Sequence, residues 1–287
     1  MATAIGIDIG GTNLRVARVV DGIVQAQASA PSSGDPETVL VRVLNLVAKL
    51  RTADVRALGL GVPGEVDQAS RRVLSGGYVD FSGFDVVAKV EAETQLGVRV
   101  ENDAVMALLG ETAHGAARGQ KNVVMMTIGT GIGGAILDQG MVLRGRGSAG
   151  QLGHLCADLQ GIPCVCGRIG CLETLSSGTA FARHLAEAGL PSHLRAEDLL
   201  ASDDPRGKAV LLAWAGPLRA AIDSMIAACN PDCVVIGGGA GPGAVLALDL
   251  FPPRASWFSA PILPAQLGAD AGVIGAAVAA LRGVKDA

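Results

Sequence analysis

Four residues in the second half of the chain have the chemistry and spacing of a metal site. His154, Cys164, Cys166 and Cys171 form H-x9-C-x-C-x4-C, with Gly161, Pro163, Gly167 and Gly170 supplying the bends. One imidazole and three thiols are a soft ligand set suited to tetrahedral zinc, and four protein ligands leave no open position for catalysis. The expectation is one structural Zn²⁺; the alternative is a group of buried thiols beside a satisfied core histidine. The chain has six cysteines, and three of them crowd into eight positions, which points to a metal before a disulfide framework. Cys156, Cys229 and Cys233 lack partners at ligand spacing and are expected in the core.

Three glycine-rich turns follow apolar runs. In Ile7-Asp8-Ile9-Gly10-Gly11-Thr12-Asn13 a carboxylate at a strand end precedes two glycines and a hydroxyl. Backbone N–H groups of such a turn can close around phosphate oxygens, Thr12 can add a donor, and Asp8 can orient a hydrated Mg²⁺. A tight hairpin that happens to contain Asp is the bland alternative. The second turn runs from Thr127 to Gly134 and includes Thr130 and Gly131; the third is Gly237-Gly238-Gly239. The second is not a Walker loop, because no Gly-Lys-Ser/Thr follows. It also fits a dinucleotide site poorly, because the residues after it read as a strand. Three such turns at strand ends favour a nucleotide held between two domains.

The elements that must position these residues are legible from periodicity. Residues 4–9, 15–20 and 23–28 read as an antiparallel meander. Residues 36–51 place Val39, Leu40, Val43, Leu44 and Val47 on one helical face. Further strands are expected at 57–62, 98–101, 123–128, 132–137, 141–143 and 233–236, and helices at 84–96, 103–114, 205–229 and 271–281. Residues 144–171 read as an ordered loop held by a ligand. The 287 residues suit two mid-sized α/β domains. With 49% hydrophobic and 17% charged residues the chain is neither disordered nor strongly polar. A net charge of −4 gives no electrostatic reason to bind nucleic acid or an anionic membrane. No basic n-region precedes the first strand, and Gly, Pro or charge interrupts the apolar stretches before the roughly 20 residues of a bilayer span. A cytoplasmic protein is expected.

Taken in order, Asp8-Ile9-Gly10-Gly11-Thr12-Asn13, Gly61-Val62-Pro63-Gly64, Glu101-Asn102-Asp103-Ala104, Thr127 to Gly131, Gly153-His154 and Cys164-x-Cys166-Gly167-x-x-Gly170-Cys171-Leu172-Glu173 resemble the ROK family of sugar kinases and sugar-responsive repressors. The resemblance implies an actin-like, ribonuclease-H-like fold in two α/β domains with a central cleft, spanning 1–108 plus 272–287 and 109–271. It implies a glucokinase-like enzyme that uses Mg-ATP to phosphorylate the 6-hydroxyl of a hexose, often as a homodimer. Asp103 would be the catalytic base; Asn102, Gln151, His154 and Glu173 would meet the sugar. His154 would serve twice, with one ring nitrogen on zinc. Asp8, Gly10, Gly11, Thr12, Asn13, Thr130, Gly131, Gly238 and Gly239 would hold ATP.

Two departures fall on the sugar side. Gln151 stands where the family usually has the glutamate of Gly-Glu-x-Gly-His, and Gly76 to Phe81 replaces a Pro-Asn-Leu-x-x-Trp segment, with Phe81 at the tryptophan. Both keep an N-acetylhexosamine (N-acetylmannosamine) kinase open as the alternative. A repressor would need a helix-turn-helix, for which nothing ahead of Asp8 leaves room.

Overall fold

The computed structural model describes residues 2–76, 79–252 and 257–285. They divide into two compact lobes. The first comprises residues 1–119, 144–149 and 269–287, and the second residues 120–143 and 150–268. The boundary therefore follows helix 103–114 to its end, where position 108 had been expected, and the segment 144–149 belongs to the first lobe.

The first lobe opens with the expected meander, β1 (Thr3–Ile9), β2 (Asn13–Val20) and β3 (Ile23–Pro31). Helix α1 (Pro36–Leu50) starts where Asp35 accepts the Thr38 N–H at 2.9 Å and Pro36 presets the first turn. It lays Val39, Leu40, Val43, Val47 and Leu50 into the core. Then come β4 (Val55–Val62), the short pair β5 (Val66–Asp67) and β6 (Arg72–Val73), α2 (Val86–Thr94), β7 (Val98–Asn102) and α3 (Asp103–His114). The sheet order is β3-β2-β1-β4-β7, antiparallel through the meander and parallel from β1 onward. As central strands, β1 and β4 bury Ile5, Ile7, Leu58 and Leu60 completely.

The second lobe repeats this plan. Strands β8 (Val123–Ile128), β9 (Ile132–Asp138) and β10 (Met141–Val142) form a meander. After the long loop come α4 (Glu173–Ser176), α5 (Gly178–Glu187), α6 (Ala196–Leu200), α7 (Pro205–Cys229), β11 (Cys233–Gly237), α8 (Gly241–Leu248) and β12 (Ile262–Pro264). Its sheet runs β10-β9-β8-β11-β12, again with two parallel strands added beside the first strand of the meander.

By length and composition α7 is apolar enough to cross a bilayer, but Gly216, Pro217, Arg219 and Asp223 interrupt it, as expected, and half of that window is buried inside the lobe. Trp214 is its largest buried side chain. The indole N–H donates to the Ser177 carbonyl at 2.9 Å and the ring lies 4.8 Å from Phe181, so this is a core helix.

The chain then returns to the first lobe as α9 (Ala271–Lys285), packed on β1, β4 and α3. The approach is backbone to backbone. A Cβ on Gly59 of β4 would fall 1.9 Å from the Ala276 carbonyl oxygen, and one on Gly275 of α9 would fall 1.6 Å from that of Met106. Only hydrogen fits at either place.

Candidate active site

In the first lobe, the turn between β1 and β2 is closed by the Gly10 N–H donating to the Asn13 carbonyl at 3.1 Å. The N–H groups of Gly11 and Thr12 are left with no acceptor among the described residues. Asp8, at the end of β1, lies against the first turn of α9, where a Cβ on Gly272 would be 2.7 Å from its carboxyl. Loss of water raises the Asp8 pKa to about 6, partly offset by the Arg15 charge. Arg15 is itself held by the Ala269 carbonyl at 3.1 Å.

Asp103 begins α3. One carboxyl oxygen accepts the Ala104 N–H at 2.8 Å. Some of the residue's surface remains exposed, yet the surrounding protein strips most of the water from the carboxyl. That loss, with the Asp8 charge adding to it, raises the pKa to about 7. A carboxyl poised near neutrality can exchange a proton with a hydroxyl at its own working pH. Asn102 is the N-cap of α3, accepting from Ala104 and Val105 N–H at 3.0 and 3.3 Å, while its amide nitrogen donates to the Gly64 carbonyl at 2.9 Å. Both ends of this amide already hold the loop that carries Asp103, a structural duty beside the sugar contact expected of it.

Glu101 lies behind them, only 7% exposed, and accepts the Asn102 N–H at 3.1 Å on one oxygen and Arg144 at 2.7 Å on the other. Phe81, expected on the substrate side, is fully buried in the core, with its ring 6.1 Å from that of Phe84. Gly77 and Tyr78 of the same unusual segment lie outside the described residues.

In the second lobe, the turn carrying Thr130 and Gly131 is braced by the start of α5. Gly178 N–H donates to the Gly129 carbonyl at 2.8 Å and the Thr179 hydroxyl to that of Thr130 at 2.8 Å. Gly238 adopts φ +82° and lies beside this turn, where a Cβ would meet the Ile128 carbonyl oxygen at 2.4 Å. Gly238 and Gly239 are both exposed. The second and third glycine turns are thus neighbours, as a shared phosphate cradle requires.

Residues 155–172 fold back on themselves, with antiparallel backbone pairing of Cys156 with Cys171 and of Pro163 with Ile169; both cysteines are free thiols. Cys164 N–H donates to the Arg168 carbonyl at 2.8 Å and Gly167 N–H to that of Cys164 at 2.9 Å. This knuckle brings the four expected ligands together. One donor atom from each of His154, Cys164, Cys166 and Cys171 lies within 4.8 Å of all the others. His154 Nδ1 is 3.6 Å from Cys164 Sγ, and Cys166 Sγ is 3.6 Å from Cys171 Sγ. A tetrahedral zinc with Zn–S of about 2.3 Å and Zn–N of about 2.0 Å has edges of roughly 3.6–3.8 Å, so the donor set fits. Burial and the neighbouring sulfurs push the Cys171 thiol up to about 12; a cation among them would reverse that cost. Cys156, expected in the core, is exposed because it lies on the outer edge of this fold-back; Cys229 is half-buried and Cys233 buried.

The residues expected to meet the sugar bracket the cluster in the chain. His154 commits Nδ1 to it, leaving Nε2 as the outward nitrogen. Gln151 is exposed and its side chain bonds to nothing among the described residues. Glu173, at the first turn of α4, accepts the Ile132 N–H at 2.8 Å, tying the end of the histidine–cysteine loop to the second glycine turn.

The ROK family model matches residues 4–282. The chain is 33% identical to a glucokinase of Halalkalibacterium halodurans over 94% of its own length and 92% of that protein. It is 30% identical to an N-acetylmannosamine kinase of Escherichia fergusonii over 97% and 98%. Among solved structures, a ROK family glucokinase from Streptomyces griseus, in complex with glucose and AMPPNP, superposes with a TM-score of 0.86 at 28% identity, covering 98% of this chain and all of that one. The repeated meander-plus-two sheets are the actin-like ATPase fold of these kinases, and the match extends through both lobes. On the strength of a match that takes in every glycine turn, the Asn102–Asp103 corner and the histidine–cysteine knuckle, the chain belongs to the ROK family.

Proposed function

We propose that this sugar kinase transfers the γ-phosphoryl group of Mg-ATP to the 6-hydroxyl of a glucose-type hexose, yielding the sugar 6-phosphate and ADP. The observation that carries the reading is Asp103, a largely desolvated carboxyl at a helix start whose pKa is raised to about 7. In its charged form it accepts the proton of the attacking hydroxyl as the oxygen–phosphorus bond forms. Asn102 keeps that carboxyl in place, and the second N–H of its amide nitrogen, the first being held by Gly64, is left for the sugar. Phosphate oxygens are received by the N–H groups of Gly11 and Thr12, the Thr12 hydroxyl, Asn13, and the turns at Thr130–Gly131 and Gly238–Gly239. Asp8 holds the hydrated Mg²⁺, which when bound neutralises phosphate charge. The structural ion is zinc, on His154, Cys164, Cys166 and Cys171. Its work is to fix the His154 ring so that Nε2, with Gln151 and Glu173, meets sugar hydroxyls. The protein is read as cytoplasmic.

A second reading, an N-acetylhexosamine kinase, is favoured by Gln151. Its unpartnered amide supplies a donor that a glutamate lacks and that an acetyl carbonyl can accept. An ADP-release assay across hexoses and N-acetylhexosamines, with Asp103→Ala alongside, tests both readings. Turnover is expected in the wild type and lost in the variant; no turnover with any sugar would refute the kinase reading.

A further inference from the structure

Arg144 is separated from Glu101 by 43 positions and comes just past β10, after Leu143. Even so, the segment 144–149 belongs to the first lobe. Arg144 Nη2 donates to Glu101 Oε2 at 2.7 Å, and the Arg144 carbonyl accepts the N–H groups of Gly147 and Ala149 at 2.8 and 3.1 Å, which curls the segment into a tight turn. A Cβ on Gly147 would lie 3.1 Å from a carboxyl oxygen of Glu65, so the same turn rests on the loop that follows β4. Asn102 ties that loop to the base through Gly64.

We infer that Arg144 is a positioning residue for phosphoryl transfer, acting on Asp103 through Glu101 and Asn102. The link is continuous. Arg144 neutralises a carboxylate that water scarcely reaches; that carboxylate fixes the Asn102 N–H; and Asn102 caps α3 at the residue beside the base. Without the guanidinium, Glu101 would be a stranded charge, and the cheapest relief is for its side chain to swing toward solvent and release Asn102. Asp103 then loses its fixed orientation, although no atom of Arg144 touches the reacting groups. The Glu101 contact uses the guanidinium's charge and its directed N–H. The inference rests on the proposed role of Asp103 as the base.

The test uses the full-length protein and three steady-state measurements: wild type, R144M, and the double variant R144M/E101Q, in which no charge is stranded. In R144M, kcat is expected to fall about 10–100-fold, the scale of a base displaced by about 1 Å, with the KM for ATP within about threefold of wild type. E101Q in the same chain should recover part of that loss while staying below wild type, since it removes the uncompensated charge but does not restore the clamp. Metal content and the circular dichroism spectrum confirm folding. An R144M enzyme with wild-type kcat per folded molecule would overturn the inference alone. So would a loss that E101Q leaves untouched. If R144M does not fold, the double variant decides: kcat at least threefold below wild type supports the clamp, and wild-type kcat overturns it. A wild-type protein inactive on every sugar would overturn the kinase reading and this inference together.

Discussion

Replacing Asp103 by asparagine preserves size and the acceptor for the Ala104 N–H while removing the charge. The wild-type carboxyl is raised from 3.8 to about 7, chiefly by loss of water and secondly by the Asp8 charge. Three units at about 1.4 kcal/mol each set an upper figure of about 4 kcal/mol for holding Asp103 ionised in the folded lobe. The part of the residue still in contact with water reduces it. The sign follows from a folded pKa above the unfolded one. The wild type carries no penalty below about pH 4, where the group is neutral in both states. Stability is lost progressively from there through about pH 7, and the full cost is present above pH 8.

Asp103→Asn escapes that loss. Its melting temperature should match the wild type near pH 3.5 and rise above it by several degrees at pH 8.5, taking about 2–4 °C per kcal/mol for a unit of this size. Its kcat should fall about 10²–10⁴-fold, the usual contribution of a general base. Thermal melts at half-unit pH intervals, without nucleotide or sugar, are the assay. Parallel wild-type and variant curves across the range would show that no desolvated charge resides at Asp103, and the argument for a base poised near neutrality would go with it.

Replacing Cys166 with Ser should lower bound zinc, read by elemental analysis, and the melting temperature together, because ligand-binding free energy is folding free energy here; loss of metal with unchanged melting would refute a structural role. Gln151→Glu should shift the kcat/KM ratio toward glucose over N-acetylmannosamine about fivefold, the worth of about 1 kcal/mol when a neutral acceptor becomes a charged one. An unchanged ratio would show that Gln151 does not select the sugar. Gly59→Ala places a methyl 1.9 Å from the Ala276 carbonyl oxygen and should destabilise by about 3 kcal/mol, visible as a lower urea midpoint; a neutral effect would mean that α9 can stand off from the sheet.

The sequence reveals those parts of the fold whose determinants are local. The meander 3–31, α1, α3 and α7 each carry a complete periodic pattern within a few turns, and all were expected near their observed positions. The short elements α4, α6 and β12 were missed, because three to five residues contain too little of any period to be read, and the longer α5 and α8 were missed as well. The histidine–cysteine knuckle was legible because its ligands sit within eighteen positions and glycine marks its bends. Arg144 was not, because nothing near it in the chain refers to Glu101. Phe81 falls on the substrate side by its place in a motif, but its burial among first-lobe core residues from distant strands and helices is a long-range fact about packing. Glycines inside strands and helices were the overlooked signal. Gly59 and Gly275 interrupt otherwise continuous elements, and such interruptions mark backbones in close approach.

The return of α9 to the first lobe sets an order on biosynthesis. Arg15 and the Ala269 carbonyl that holds it are 254 residues apart, and at about 5–20 residues per second the ribosome needs on the order of tens of seconds to supply the second after the first. During that interval β1 and β4 have no helix over Gly6 and Gly59, and the second lobe is made and free to fold before its older neighbour is complete. The first turn of α9, which lies against Asp8, likewise emerges only after the second lobe. A chain that stalls or is clipped before residue 271 therefore leaves Asp8 without that support, and on the role proposed for Asp8 such a fragment is barred from finishing its nucleotide site.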